Sequence, residues 1–311
     1  MPIHANTYRH YEGRRRGRFW RAFVIANTAS ALLVKKKFLV ALILLGITPS
    51  VIFGVLVYGT VSRNAKDYEG FAVQMIGDVG WGPYLKQHPG PAGSWRLIFS
   101  LFLFVQLIPV LVIVTAVGPS LISQDLRARA LQLYYSRPLT RTDYLAGKLL
   151  VVAVFVAMVT LVPALLLYVV GVVLSRSPLT AIETGRTFFG IVAGCAVTTL
   201  VTGALVLACS SLSRRSGHVA VAWASVIVLS ESAYILVRDQ SGVGWAYLLS
   251  IRANVAQTIT SLFGAPPEYQ STVHPEAWFN NPVFSSLVLA ALVAAALAFV
   301  YRRVGALEGE H

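Results

Sequence analysis

The sequence predicts an all-α integral membrane protein with six transmembrane helices. Hydrophobic residues fill 56% of its 311 positions, charged residues only 13%, and the mean hydropathy is +0.67. Its apolar residues gather into six runs, each close to the roughly 20 helical residues that cross a bilayer. Basic residues cluster beside alternate ends of those runs, the bias that sets membrane orientation. An average soluble domain carries about twice this share of charge, and a water-exposed globule of this composition would show large apolar patches. Disorder is excluded by the same figures, because disordered chains are poor in hydrophobic residues.

Residues 1–37 read as a cytoplasmic basic arm ending in an interfacial helix. Arginines crowd the stretch from Tyr8 to Arg18, and Phe19, Trp20 and Phe23 follow at three- and four-residue spacing on one face. Such a helix lies along the membrane surface with its aromatics in lipid and its arginines among headgroups. A plain positive flank is the alternative, but a flank does not require aromatics. Residues 38–311 then form the six-span domain, with spans at about 38–60, 97–117, 148–174, 187–211, 219–237 and 283–301. The first run starts too late, behind too many polar residues, for a cleaved signal peptide.

Orientation follows from the lysines and arginines. With the N-terminus inside, 18 of the 26 fall on inner segments, led by Lys35-Lys36-Lys37 just before span one. Both termini are therefore expected in the cytoplasm. The net charge of +13 is explained by this bias, and no basic face on a soluble fold points to nucleic acid. The outer stretches at about 61–96 and 238–282 carry Trp81, Trp245, Tyr247 and Trp278, as interfacial or re-entrant helices or as solvated loops with anchors. Cys195 and Cys209 lie about 21 Å apart along one helix and cannot bridge within the chain. The six histidines show no metal-ligand spacing.

The connection at about 118–147 is the most informative segment. Ser120 is placed to cap a helix in which Ile122, Leu126, Ala130 and Leu133 form an apolar stripe, with Arg127 and Arg129 at its sides. Arg137-Pro138 ends it, because the residue before proline resists the α conformation. Thr140-x-x-Asp143 then starts the next helix in the manner of a capping box. The result is a short rod across the mouth of a hairpin, joined to span three. Pressure on its stripe would tilt that span; an interfacial helix without a partner is the alternative.

Leu121-Ile122-Ser123-x-Asp125, through Leu131-x-Leu133-Tyr134-x-Ser136-Arg137-Pro138-Leu139-Thr140-Arg141-x-x-Tyr144-x-x-Gly147-Lys148, resembles the cytoplasmic loop of ABC transporter type-2 permeases. The likeness in layout runs from about Arg18 to Arg303, while only 121–148 is motif-like. The resemblance implies an N-terminal elbow helix, a coupling helix between spans two and three, and re-entrant outer helices before span six. It implies a cytoplasmic ABC ATPase as partner, with ATP and magnesium held there and no cofactor in this chain. It also implies a second permease chain, identical or different, in the plasma membrane of a prokaryote, and export as the direction. Ile122, Asp125, Leu126, Arg127, Arg129, Ala130, Leu133 and Arg137 would face the ATPase. Many relatives have an acidic residue followed by Gly-Thr in the coupling helix; here Asp125 is followed by Arg129-Ala130, so the acidic position persists without the Gly-Thr contact.

The chain carries no phosphate-binding loop: Ala146-Gly147-Lys148-Leu149 has neither the upstream glycine nor the Ser or Thr. ATP hydrolysis is therefore expected in a separate polypeptide. Candidate pathway or hinge residues are Gln106 and Pro109 in span two, Thr160 and Pro163 in span three, and Glu231 in span five. Glu231 is the only acidic residue well within a run. It reads either as a group in the path or proton relay, or as a residue near the outer surface. Gly190-x-x-x-Gly194 with Gly203 marks a close-packing face on span four, for intrachain packing before a dimer contact. A non-transporting anchor or sensor that recruits an ATPase fits the same loop. An intramembrane enzyme fits less well, because Glu231 with Ser230 or Ser232 has no His or Lys at matching depth in the spans to complete a catalytic set.

Overall fold

The computed structural model describes residues 18–62, 84, 88, 91–130, 140–175, 178–241, 244–264 and 282–309, and every regular element among them is helical. Helix α1 (Arg18–Val34) precedes the first span, which is built from α2 (Lys37–Ile47) and α3 (Pro49–Ser62). Helix α4 (Pro91–Val117) is the second span and leads into the short α5 (Ser120–Arg127). Helices α6 (Arg141–Val159) and α7 (Leu161–Leu174) make the third span, and α8 (Pro178–Glu183) caps the turn into α9 (Gly185–Leu212), the fourth. The fifth span is α10 (Ser216–Ser241). A 3₁₀ turn (Gly244–Leu249) and α11 (Ile251–Phe263) follow, and α12 (Pro282–Gly309) is the sixth span.

Six of these stretches are long and apolar enough to cross a membrane. Within them 61% of the most apolar window is buried in the second and fourth spans, against 17–22% in the first, fifth and sixth. Helices α4 and α9 are thus the axis of the bundle, and the others surround it. Small residues let α9 hold that place. A Cβ at Gly190 would sit 2.8 Å from the Phe263 ring, one at Gly194 2.7 Å from Leu103, and one at Gly203 2.5 Å from Leu149. The close-packing face read from the sequence is used inside the chain.

Two spans are interrupted, and proline explains both. Pro49 has no N–H to give the Leu45 carbonyl, so the backbone N–H and hydroxyl of Thr48 donate to it instead, at 3.2 and 2.5 Å. Pro163 likewise cannot reach the Val159 carbonyl, and the helix breaks three residues earlier at Thr160, whose hydroxyl donates to Val156 O at 2.8 Å. Pro109 sits within α4 without interrupting it. The core divides into two clusters. One gathers Val114, Ile122, Tyr144, Val206 and Trp223; the other gathers Trp95, Phe99, Phe102, Ile191 and Phe263.

Two sequence expectations about α5 fail. Ser120 does not cap the helix: its hydroxyl donates back to Val117 O at 2.9 Å. The cause is Pro119, which takes helical angles (φ −55°, ψ −30°), so α4 passes into α5 with no extended residue to serve as a cap. The helix is also interrupted after Arg127, and Arg137-Pro138 lies outside the described residues. Ala128 flattens to ψ 0°, and Arg129 adopts φ 51°, the left-handed region that ends helices.

Candidate functional site

Helix α5 is fastened to the bundle by polar ties at the end where α4, α6 and α9 meet. Ile122 N and Ser123 N donate to Ser210 Oγ at 2.9 and 3.1 Å, and that hydroxyl donates to Pro119 O at 3.0 Å. One serine near the end of α9 thus satisfies two backbone donors of the first turn of α5, donors that no carbonyl within that helix can reach. On the next turn, Asp125 accepts from Tyr144 OH at 2.7 Å and pairs with Lys148 Nζ at 2.6 Å. Lys148 also lies over the Tyr144 ring, 5.4 Å from its centre.

The partner side of that pair is built just as locally. Thr140 takes an extended backbone and its hydroxyl accepts from Asp143 N at 3.2 Å, while Thr140 N donates to Asp143 Oδ2 at 3.3 Å. This reciprocal box starts α6 and sets the azimuth of Tyr144 and Lys148. Asp143 also faces Arg21 of α1 at 3.9 Å, and Gly147 admits α1 closely, since a Cβ there would lie 3.0 Å from Ile25. Helices α1, α5, α6 and α9 are therefore joined at one end.

The structure revises the face that α5 offers. Ile122 is fully buried in the chain's own core, and Leu126 and Ala130 are half-buried. The Ile122 end of the stripe is thus spent on the bundle. Gln124, Arg127, Ala128 and Arg129 are the exposed residues. Leu133 and Arg137 lie outside the described residues. On α1, Trp20 and Phe23 are exposed with ring centres 5.5 Å apart, and the side chain of Phe19 lies outside the described part.

A second constellation sits midway along the bundle. Glu231 of α10 receives Arg252 Nη2 at 2.7 Å and Nε at 3.2 Å on one oxygen, and Ser250 Oγ at 2.6 Å on the other. Ser250 in turn caps α11 by accepting from Ala253 N at 3.0 Å. The pair borders a partly open cavity between α4, α9, α10 and α11. Helix α11 has 13 residues, too few to cross, yet Asn254, Val255, Ile259 and Phe263 are buried against the central spans.

Of the remaining candidates, Gln106 is fully buried and neither of its amide heteroatoms has a hydrogen-bond partner among the described residues. Thr160 touches Cys195 Sγ at 3.2 Å and marks the break above Pro163, which is itself buried. Pro109 faces Gly46, where a Cβ would lie 3.3 Å from its ring. Gln106, Pro109, Thr160 and Pro163 do not line the Glu231 cavity. Sequence reasoning missed Lys148, Tyr144, Ser210, Ser250 and Arg252. A lysine in the second turn of an apolar span signals a buried cation in need of a carboxylate, and that signal was available.

Among the described residues no cluster of His, Cys, Asp and Glu is arranged to hold a metal. Six apolar helices, two of them forming the axis of the bundle, define a multi-pass integral membrane protein. Residues 23–302 match the sequence model of ABC-2 family transporter proteins, and the chain belongs to that family. It is the permease component of an ABC transporter, a class of typically non-catalytic subunits that generally pair with an ABC ATPase. No curated protein matches the chain.

Proposed function

We propose that this chain forms the transport path of an ATP-driven exporter and is moved through α5 by a separate cytoplasmic ATPase. The observation that carries the reading is the double character of α5. Its outer side is polar and basic at Gln124, Arg127 and Arg129, and its inner side is tied to α9 through Ser210 and to α6 through Asp125. A push on such an element is delivered to two spans at once. Closure of the ATPases would then move the path between inward and outward access.

In this reading α5 and both termini lie in the cytoplasm, as the basic residues require. Helix α1 is the elbow, lying in the interface on Trp20 and Phe23. Residues 1–37 form the arm and 38–311 the permease domain. Helix α11 is the re-entrant element before span six, supported by its short length and buried position. The break at Thr160 and Pro163 is the hinge of span three, with Gln106 and Pro109 as the corresponding weak point of span two, and Glu231 belongs to the path. Two permease chains share two ATPases, which hold the ATP and magnesium.

The test is Arg127→Glu with Arg129→Glu in the assembled transporter. Both side chains are exposed, so the melting temperature should hold while ATPase co-purification and ATP-driven efflux fall at least tenfold. Wild-type assembly and efflux would overturn the assignment of α5.

A further inference from the structure

The cavity beside Glu231 is partly open and is walled almost entirely by carbon from Leu107, Leu111, Val201, Leu205, Ile227 and Val255. Its polar side chains are nearly all spent. Ser230 Oγ donates to Ile227 O at 2.8 Å, Thr202 Oγ1 to Thr198 O at 2.7 Å, and Trp223 Nε1 to Thr115 Oγ1 at 2.8 Å. Glu231 is spent as well, with Arg252 on one oxygen and Ser250 on the other.

Arg252 is the exception. A guanidinium has five N–H donors, and this one uses Nε and Nη2 on Glu231 while Nη1 makes no hydrogen bond among the described residues. Phe104 covers one face of the group, 5.6 Å from ring centre to Cζ, so a ligand meets Arg252 in its own plane. The unused capacity is therefore donor capacity.

Charge narrows the ligand further. The Glu231–Arg252 pair is neutral as a unit. A carboxylate or phosphate on Nη1 would stand close to the Glu231 carboxylate inside an apolar wall, where repulsion is screened little. An ammonium would meet the like charge of Arg252 and a carboxylate already engaged. An uncharged acceptor meets neither penalty.

We propose that this cavity binds an uncharged amphiphile, with a carbonyl-type acceptor on Arg252 Nη1 and an apolar body along Leu107, Leu111, Leu205 and Ile227. The assignment of that ligand as cargo rests on the transport-path reading above; the binding itself does not. The acceptor comes either from a dissolved molecule or from the ester carbonyl of a membrane lipid.

The experiment photolabels the full chain in lipid nanodiscs with a decanamide that carries a diazirine in mid-chain, and maps the labelled peptides by mass spectrometry. Label is expected on the α4, α9 and α10 segments that line the cavity. Unlabelled decanamide should compete at least tenfold better than decanoate, decylammonium or decane. Glu231→Gln combined with Arg252→Met removes the pair without stranding a charge and should cut the label at least tenfold. Ile227→Phe narrows the cavity without touching the pair and should do the same, which keeps the test decisive should the double variant not fold. Equal competition by decanoate, or label indifferent to both variants, would overturn the proposal. Stronger label in ether-linked than in ester-linked lipid supports a lipid ester as the resident; equal label supports a dissolved ligand. No ATPase is present in this assay, so its failure leaves the role of α5 standing, and failure of ATPase docking leaves the binding result standing.

Discussion

The Lys148–Asp125 and Arg252–Glu231 pairs are nearly equal in length, 2.6 and 2.7 Å, and each joins two helices. They differ in burial. The side chains of the first are 7% and 16% exposed, those of the second 33% and 27%. The first is enclosed by a tyrosine that both donates to the carboxylate and covers the ammonium, which leaves little of it open. The second borders a cavity and retains unused donors. One chemistry thus makes a strut where it is enclosed and an adaptable polar edge where it is open. The surroundings follow the same division. At the first, α4, α5, α6 and α9 are knotted through Ser210 and Gly118; at the second, α10 is the least buried span.

The sharpest way to break this comparison is Asp125→Ala. It strands a buried lysine, which should cost about 3 kcal/mol or more and appear as a marked fall in melting temperature in detergent. Gly118→Ala comes next. Its Cβ would lie 2.2 Å from Val206 Cγ2 and 2.8 Å from the Val114 carbonyl oxygen, a backbone atom that cannot swing away. A loss of about 2 kcal/mol is expected, read by the same melt. Glu231→Gln should cost least, about 1 kcal/mol, because the pair is partly exposed and the charge left on Arg252 is not enclosed. If Glu231→Gln destabilised the protein as much as Asp125→Ala, the distinction between strut and open edge would fail.

Much of this was legible beforehand. The six runs were readable because crossing a bilayer demands length and apolarity together, and these survive in composition alone. The Thr140–Asp143 box was readable because its partners are three residues apart. What escaped was long-range. Glu231 finds Arg252 across 21 positions, in an outer stretch left open between interfacial or re-entrant helices and a loop, because α11 is too short and too mixed, with Asn254, Gln257 and Thr258, to register as a span. Lys148 reaches Asp125 across a junction whose angle no local pattern encodes. The direction of Ile122 was misjudged for a related reason. An apolar stripe on a helix states that something covers it, and the chain's own α9 proved to be the cover.

The unbroken passage of α4 into α5 through Pro119 has a mechanical consequence. Joined without an extended residue between them, the two helices act as the unequal arms of a crank, about 40 Å and 12 Å long at 1.5 Å per residue. Turning the short arm through about 5° swings the distal tip of the long one by about 3.5 Å, more than the radius of a water molecule. A tilt that is slight at α5 would thus be a displacement of several ångströms at the far end of α4.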